Sequence, residues 1–189
     1  MKLIVGLGNP GKTYSRTRHN VGFRVIEELL KYEGSSLTER EKLFEFNRLS
    51  INGQEVIVAK PTIFMNESGR AVRSMIAQFR AKPEVCLVVV DDVNLPLGKI
   101  RFRLRGSSGS HNGLESVISA LGTTIFPRLR IGVGKPDSCE NDLSEFVLGP
   151  FTEREKDLLK PQIEKARDAC RQWVKEGPAS VMQRFNKVN

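Results

Sequence analysis

The stretch GLGNPGKTYSRTRHN, residues 6–20, follows the apolar run KLIV and carries Gly6, Gly8 and Gly11 in the spacing G-x-G-x-x-G. Its reading decides between a dinucleotide-binding βαβ fold and an α/β fold built around another site. In a dinucleotide turn the third glycine lies close to a helix start, because the pyrophosphate rests on that helix's first N–H groups. Here KTYSRTRHN intervenes, helical periodicity starts only near Asn20, and Pro10 puts a residue without an N–H inside the turn. The glycines therefore read as bends of a strand-end loop that presents Asn9, Tyr14 and His19. In open α/β sheets that end of the strand is where ligands bind.

Outward from this stretch, VGFRVIEELLKYEG reads as a helix with Val25, Ile26, Leu29 and Leu30 on one face and Gly34 ending it. SSLTEREK reads as a polar loop. FEFNRLSI and EVIVAKP flank Asn52-Gly53, a two-residue hairpin signal. ESGRAVRSMIAQFR and GLESVISAL have helical spacing, the latter ended by Gly122. VCLVVV, KIRFRLR and RLRIGVG read as strands, the first running into Asp91-Asp92. Residues 152–176 are helical by the spacing of Leu159, Ile163, Ala166, Cys170 and Trp173. Pro161 predicts a break or kink there, costing about 3 kcal/mol if it sits inside the helix. A last short helix is expected after Gly177-Pro178. This alternation predicts a single α/β domain over residues 1–189, with a mixed, twisted β-sheet and helices on both faces.

Lysine and arginine number 30 against 22 acidic residues, a net charge of +8, which suggests an anionic partner such as nucleic acid or simply a basic solvated surface. No apolar run reaches the length of a membrane span, and MKLIVGLGN turns to glycine too early for a signal peptide; a cytoplasmic protein is expected. Cys86, Cys139 and Cys170 are scattered, which argues for reduced thiols. With His19 and His111 the only histidines, no metal site is expected, and no cofactor.

Three further motifs put polar residues at element ends. FMNESG places Asn66 just before a helix, VVVDDVN places Asp91 directly after a buried strand, and GSSGSHNG places His111 and Asn112 in a glycine-rich loop before another helix. Each has a plain structural alternative: helix caps for the asparagines, a turn for Asp91, a satisfied or exposed histidine for His19. Convergence of the four motifs is not readable from the sequence. RGSSGSHNG also sets serines beside a histidine, but no window there fits G-x-S-x-G, which disfavours Ser108 or Ser110 as a nucleophile.

VGLGNPGKTYSRTRHNVGF, KPTIFMNESG, DDVNLPLGKIRFRLRGSSGSHNG and RLRIGVG, in that order, closely resemble bacterial-type peptidyl-tRNA hydrolase over nearly the whole chain. The resemblance implies a monomeric α/β enzyme, without a stable protein partner, that cleaves the ester between a peptide and the 3′ ribose of tRNA. It assigns the catalytic histidine to His19, its supporting aspartate to Asp91, and the site asparagines to Asn9, Asn66 and Asn112. Tyr14, Phe64 and the neighbouring Met65 fall where such enzymes contact the tRNA end or peptide. The residue types suit the chemistry. A histidine can take a proton from water, contributing about 10²–10⁴-fold, and a carboxylate fixes its tautomer. Amide donors can stabilise a developing oxyanion. The family assigns Asn9 to the blocked amino group; an amide can donate to a peptide carbonyl and accept from its N–H.

KIRFRLR alternates strictly, setting Lys99, Arg101, Arg103 and Arg105 on one face at intervals of about 6.6–7 Å. Arg128 and Arg130 repeat the pattern in RLRIG. Beside the HNG loop this reads as a tRNA-binding stripe, and the family positions at Arg103 and Arg130 are basic too. The loop GSSGSHNG is poorer in glycine than in many relatives, and Asn94 stands where an acidic residue is common. A second reading keeps the scaffold as a non-catalytic RNA-binding protein. Finally, the polar run Asp137–Asp142 predicts a mobile lid over residues 137–150.

Overall fold

The computed structural model describes residues 1–136 and 143–186. In chain order the elements are β1 (Lys2–Gly6), α1 (Val21–Tyr32), β2 (Glu39–Arg40), β3 (Phe44–Ile51), β4 (Gln54–Pro61), α2 (Ser68–Gln78) and β5 (Cys86–Asp92), followed by β6 (Ile100–Arg103), α3 (Asn112–Leu121), β7 (Arg128–Gly132), α4 (Leu143–Leu148), α5 (Glu153–Glu176) and α6 (Pro178–Phe185). One sheet runs β2-β3-β4-β1-β5-β7-β6. Its middle strands β4, β1, β5 and β7 are parallel, while β3 and β6 join antiparallel on either side. The predicted mixed α/β architecture is what forms.

The apolar run of β5 is buried from Cys86 to Asp92, as expected of a parallel strand covered on both faces. Alternate residues then sort to two cores. Ile4, Val58, Leu87, Val89 and Leu129 pack under α1, α5 and α6; Leu3, Val5, Ile57, Val88 and Val90 pack under α2 and α3. Each fully buried aliphatic side chain contributes about 1.5–3 kcal/mol of hydrophobic stabilisation. The Asn52-Gly53 turn takes φ values of 51° and 75°, the left-handed pair that a two-residue hairpin requires. Asp91 and Asp92 are the last residues of β5 itself, not the start of a loop.

The opening glycines are packing devices. A Cβ on Gly6 would lie 2.4 Å from the Gly22 carbonyl oxygen, and one on Gly8 would lie 2.7 Å from the Phe23 ring. Between Gly11 and α1 the chain makes two 3₁₀ turns, Lys12–Tyr14 and Arg18–Asn20, so no helix opens at the third glycine. The dinucleotide reading fails at that point.

Three expectations are corrected. SSLTEREK contributes the two-residue strand β2, paired to β3, because Glu39 and Arg40 meet Phe46 and Glu45 across the sheet edge. α5 passes through Pro161 without a break. Pro161 and Asp157, whose carbonyl loses its helical partner, are both exposed, so water can solvate that carbonyl. Next to it, Gln162 Nε2 donates to the Lys99 and Gly132 carbonyls at 2.8 Å, pinning the helix to the sheet. The strand in KIRFRLR stops at Arg103, so Leu104 is 43% exposed and Arg105 lies beyond the alternation.

Candidate active site

The carboxyl ends of β4, β1 and β5 open on one cavity of about 550 Å³. Asn9, His19, Phe64, Met65, Asn66, Asp91, Asn112 and Arg130 all line it, although they come from six separate places in the chain. Tyr14 reaches the site through Phe64, against whose ring it packs edge-on at 6.2 Å. Arg101, Arg103 and Arg105 do not line the cavity.

Residues 6–20 form a single tied unit here. The Asn9 N–H donates to Asn20 Oδ1, and Asn20 Nδ2 donates back to the Asn9 carbonyl, both at 2.8 Å. This joins the GNPG bend to the turn that carries His19. Asn9 Oδ1 in turn accepts from the Met65 N–H at 2.8 Å, which orients the amide and leaves Nδ2 as its donor toward the cavity. The oxygen carries a second lone pair beside the Met65 N–H, so accepting from a ligand stays open to it as well.

Asp91 is 3% exposed, and its Oδ1 takes both imidazoles: His19 Nδ1 at 2.8 Å and His111 Nε2 at 2.8 Å. Local chemistry assigns the protons. His111 caps α3, its Nδ1 accepting from the Leu114 N–H at 3.2 Å, so the proton of the neutral ring sits on Nε2 and points at Asp91. His19 Nδ1 faces the same carboxylate oxygen and donates to it, which leaves Nε2 of His19 as the lone-pair nitrogen. Burial by itself would raise the Asp91 pKa; the charges and hydrogen bonds of His111 and His19 outweigh it and hold the carboxyl well below the usual carboxylate range.

His19, Asp91 and His111 offer ligand atoms within 4.8 Å of one another, close enough to share a cation. The Leu114 N–H argues against that use. It keeps His111 Nδ1 bare and the proton on Nε2, the nitrogen a metal would need. With both nitrogens committed, His111 is also unavailable as a base for Ser108 or Ser110. The thiols do not compete as nucleophiles: Cys86 and Cys170 are buried and free, and burial pushes both up to about 12, aided at Cys170 by Asp168. Cys139 lies outside the described residues.

Neither asparagine is a helix cap. Asn66 sits in the 3₁₀ turn Met65–Glu67 ahead of α2, and Asn112 is the first residue of α3, whose cap is His111. Both side chains are exposed at the cavity. His111 is the site residue the sequence reading did not assign. The signal available was its place at a helix start; the bond to Asp91, twenty residues away, was not.

The basic residues divide. On β6 and β7, Arg101 faces Arg130 and Arg103 faces Arg128 across the ladder. Arg130 is tied to Asp92 Oδ2 at 3.0 Å and keeps its place on the cavity wall. Arg128 is 1% exposed, which corrects the view of it as part of an outward stripe: the 106–111 loop folds over it. Of the proposed lid, residues 137–142 lie outside the described residues. Residues 143–148 form α4, which has no buried residue and sets Leu143, Val147 and Leu148 on the cavity wall. α4 is held by Arg18, next to His19. Its Nη1 donates to the Phe146 carbonyl at 3.3 Å, its guanidinium stacks 4.2 Å from the Phe146 ring, and Nη2 pairs with Glu155 at 2.8 Å.

The family model described as peptidyl-tRNA hydrolase matches residues 3–189 of this chain. The peptidyl-tRNA hydrolase of Aquifex aeolicus (strain VF5) is 46% identical over 187 residues, covering 99% of this chain and 97% of the relative. That of Geobacillus kaustophilus (strain HTA426) is also 46% identical over 187 residues, covering 99% of this chain and 100% of the relative. A crystal structure of peptidyl-tRNA hydrolase from Acinetobacter baumannii superposes with a TM-score of 0.93 at 34% identity, covering 100% of this chain and 96% of that one. With that match running from the first strand through the described helices, the chain belongs to the peptidyl-tRNA hydrolase family.

Proposed function

We propose that this chain hydrolyses the ester joining a peptide to the 3′ ribose of tRNA, with His19 as general base and water as nucleophile. The observation that carries the reading is the pair of imidazoles on one buried, ionised Asp91, with His19 facing the cavity. Asp91 fixes the His19 tautomer and stabilises the imidazolium formed when Nε2 takes a proton from water. The hydroxide attacks the ester carbonyl, the C–O bond to the ribose breaks, and the imidazolium returns its proton to the leaving 3′ oxygen. Asn66 and Asn112, exposed on the cavity and free of capping duty, supply amide donors to the oxyanion. Removing one such donor typically costs about 10²–10³-fold. Asn9 Nδ2 donates to the first peptide carbonyl, a group that an unblocked aminoacyl ester lacks.

Phe64, 53% exposed, and Tyr14 form an aromatic ledge at the cavity mouth for the tRNA end or the peptide. Arg130 with the outward Arg101, Arg103 and Arg105 carries the phosphate backbone, so binding weakens steeply with salt. No cofactor or metal takes part. The enzyme works as a monomeric single domain over 1–189 in the cytoplasm, without a stable protein partner; no helix among the described residues is long and apolar enough to cross a membrane.

The test is hydrolysis of N-acetyl-aminoacyl-tRNA beside unblocked aminoacyl-tRNA by native protein and His19→Ala. Cleavage of only the blocked ester, lost in a folded His19→Ala variant, supports the reading. Binding of tRNA with cleavage of neither ester would establish the RNA-binding alternative instead.

A further inference from the structure

Arg128 is a cation buried in the sheet, with no carboxylate against it among the described residues. Its guanidinium donates to four backbone carbonyls: Gly106 at 2.6 Å, Ser107 at 3.2 Å, Thr124 at 2.8 Å and Phe126 at 3.3 Å. It stacks 4.2 Å from the Phe126 ring, while its Nε finds no partner among the described residues. Burial, and then the like charge of Arg130, bring its pKa down to about 10. A leucine at this strand position could fill the space but would leave those four carbonyls without their donor, so what the arginine adds is a grip on the chain around it.

What the arginine holds is the segment that delivers the site. From Gly106 to Ser110 the chain has left-handed φ values at Gly106 (153°), Gly109 (61°) and Ser110 (65°), a path no helix or strand ladder supports. It ends at His111 and Asn112. Arg128 grips the first two carbonyls of that path. At its far end the loop passes close to the neighbouring arginine, where a glycine leaves the room: a Cβ on Gly109 would stand 2.7 Å from Arg130 Nη2. A planar fork reaching several carbonyls at once is a task that guanidinium performs and ammonium does not.

We propose that Arg128 is a positioning residue: it holds the 106–111 loop so that His111 meets Asp91 and Asn112 meets the cavity. The proposal rests on the hydrolase reading for its kinetic test and on the geometry alone for its spectroscopic one. The variant is Arg128→Lys, which keeps the charge and loses the fork. Its kcat on N-acetyl-aminoacyl-tRNA is expected to fall by roughly 10- to 100-fold with KM nearly unchanged, since misplacement by about 1 Å near the chemistry costs on that order. In an Asn112→Ala background the same substitution is expected to cost a clearly smaller factor, because the share of its effect that passes through Asn112 is already gone and only the share through His111 remains. Equal factors in both backgrounds, or a native kcat in the single variant, overturn the proposal. Independently of activity, proton NMR follows the imidazole N–H signals on Asp91. Arg128→Lys should weaken the protection of the His111 signal and leave that of His19. Two unchanged signals refute the positioning role even if the native protein cleaves no ester, and a weakened His111 signal sustains it in that case. Should Arg128→Lys melt below the assay temperature, Arg128→Gln, a neutral amide facing the same carbonyls, takes its place with the same expected readings.

Discussion

Replacing Asp91 with asparagine keeps the shape of the site and removes its buried charge. An amide oxygen can still accept from His19 Nδ1, so the imidazole stays near its place, but the cation formed during hydrolysis loses its counter-charge. The Nδ1 to Oδ1 distance of 2.8 Å puts the centres of imidazolium and carboxylate about 4 Å apart, where a unit pair is worth about 4 kcal/mol at an effective dielectric near 20. At about 1.36 kcal/mol per factor of ten, full loss of that term slows the chemical step roughly 10³-fold. Partial charge development in the transition state lowers this toward about 10²-fold. Single-turnover hydrolysis of N-acetyl-aminoacyl-tRNA, with enzyme in excess, reads the step without product release. Circular dichroism checks that Asp91→Asn is folded. A fall of less than about tenfold would mean that no imidazolium forms against Asp91, and the general-base reading would be refuted.

The same carboxylate sets an acid limb on stability. Its folded pKa lies below its unfolded value of about 3.9, so its contribution is fully present above that pH and is lost as pH falls through the folded value. Urea unfolding of native protein from pH 6 downward should lose stability more steeply below about pH 4 than Asp91→Asn does. Gly69→Ala should destabilise by about 1–3 kcal/mol and lower Tm by roughly 2–12 °C, because its Cβ would stand 2.0 Å from the Ser116 carbonyl oxygen where α2 meets α3; a scanning-calorimetry Tm equal to native would contradict that packing. Phe64→Ala, at an exposed position, should leave Tm within about 2 °C and raise KM on the tRNA substrate; an unchanged KM removes the ledge from the binding site. Arg103→Ala should weaken tRNA binding at all sequences and reduce the salt slope of log K by about one; an unaltered slope would show that no phosphate lies there.

Much of the fold was readable because it depends on neighbours in sequence. Asn52-Gly53 makes its hairpin by backbone preference at two residues, and Gly122 ends α3 in the left-handed conformation for the same reason. The apolar runs of β1 and β5 and the helical spacing of α1 announce their burial directly. α4 was not readable. It is six residues long and buries none of them, so its helical form depends on Arg18, some 130 positions earlier, and no local period records that. Pro161 misled in the opposite direction. Its local rule is sound, but an exposed position and the anchoring of Gln162 to the sheet carry the helix through it.

The candidate site divides along the same line. Strand ends and glycine bends put Asn9, His19, Asn66, Asp91 and Asn112 at element boundaries, and that much follows from order along the chain. Alternation on KIRFRLR and RLRIG likewise says which side chains share a sheet face. Only the tertiary structure decides that Arg128 on that face is buried while Arg103 opposite it is not, because a loop returning over one strand is a long-range event. Only it decides that one oxygen of Asp91 receives two histidines, from residues 72 positions before it and 20 after. A proton's location on an imidazole follows from its two hydrogen-bond partners. One partner of His111 lies three residues away and could have been anticipated; the other, Asp91 at the end of β5, is reached only because the 106–111 loop returns the chain to that strand end.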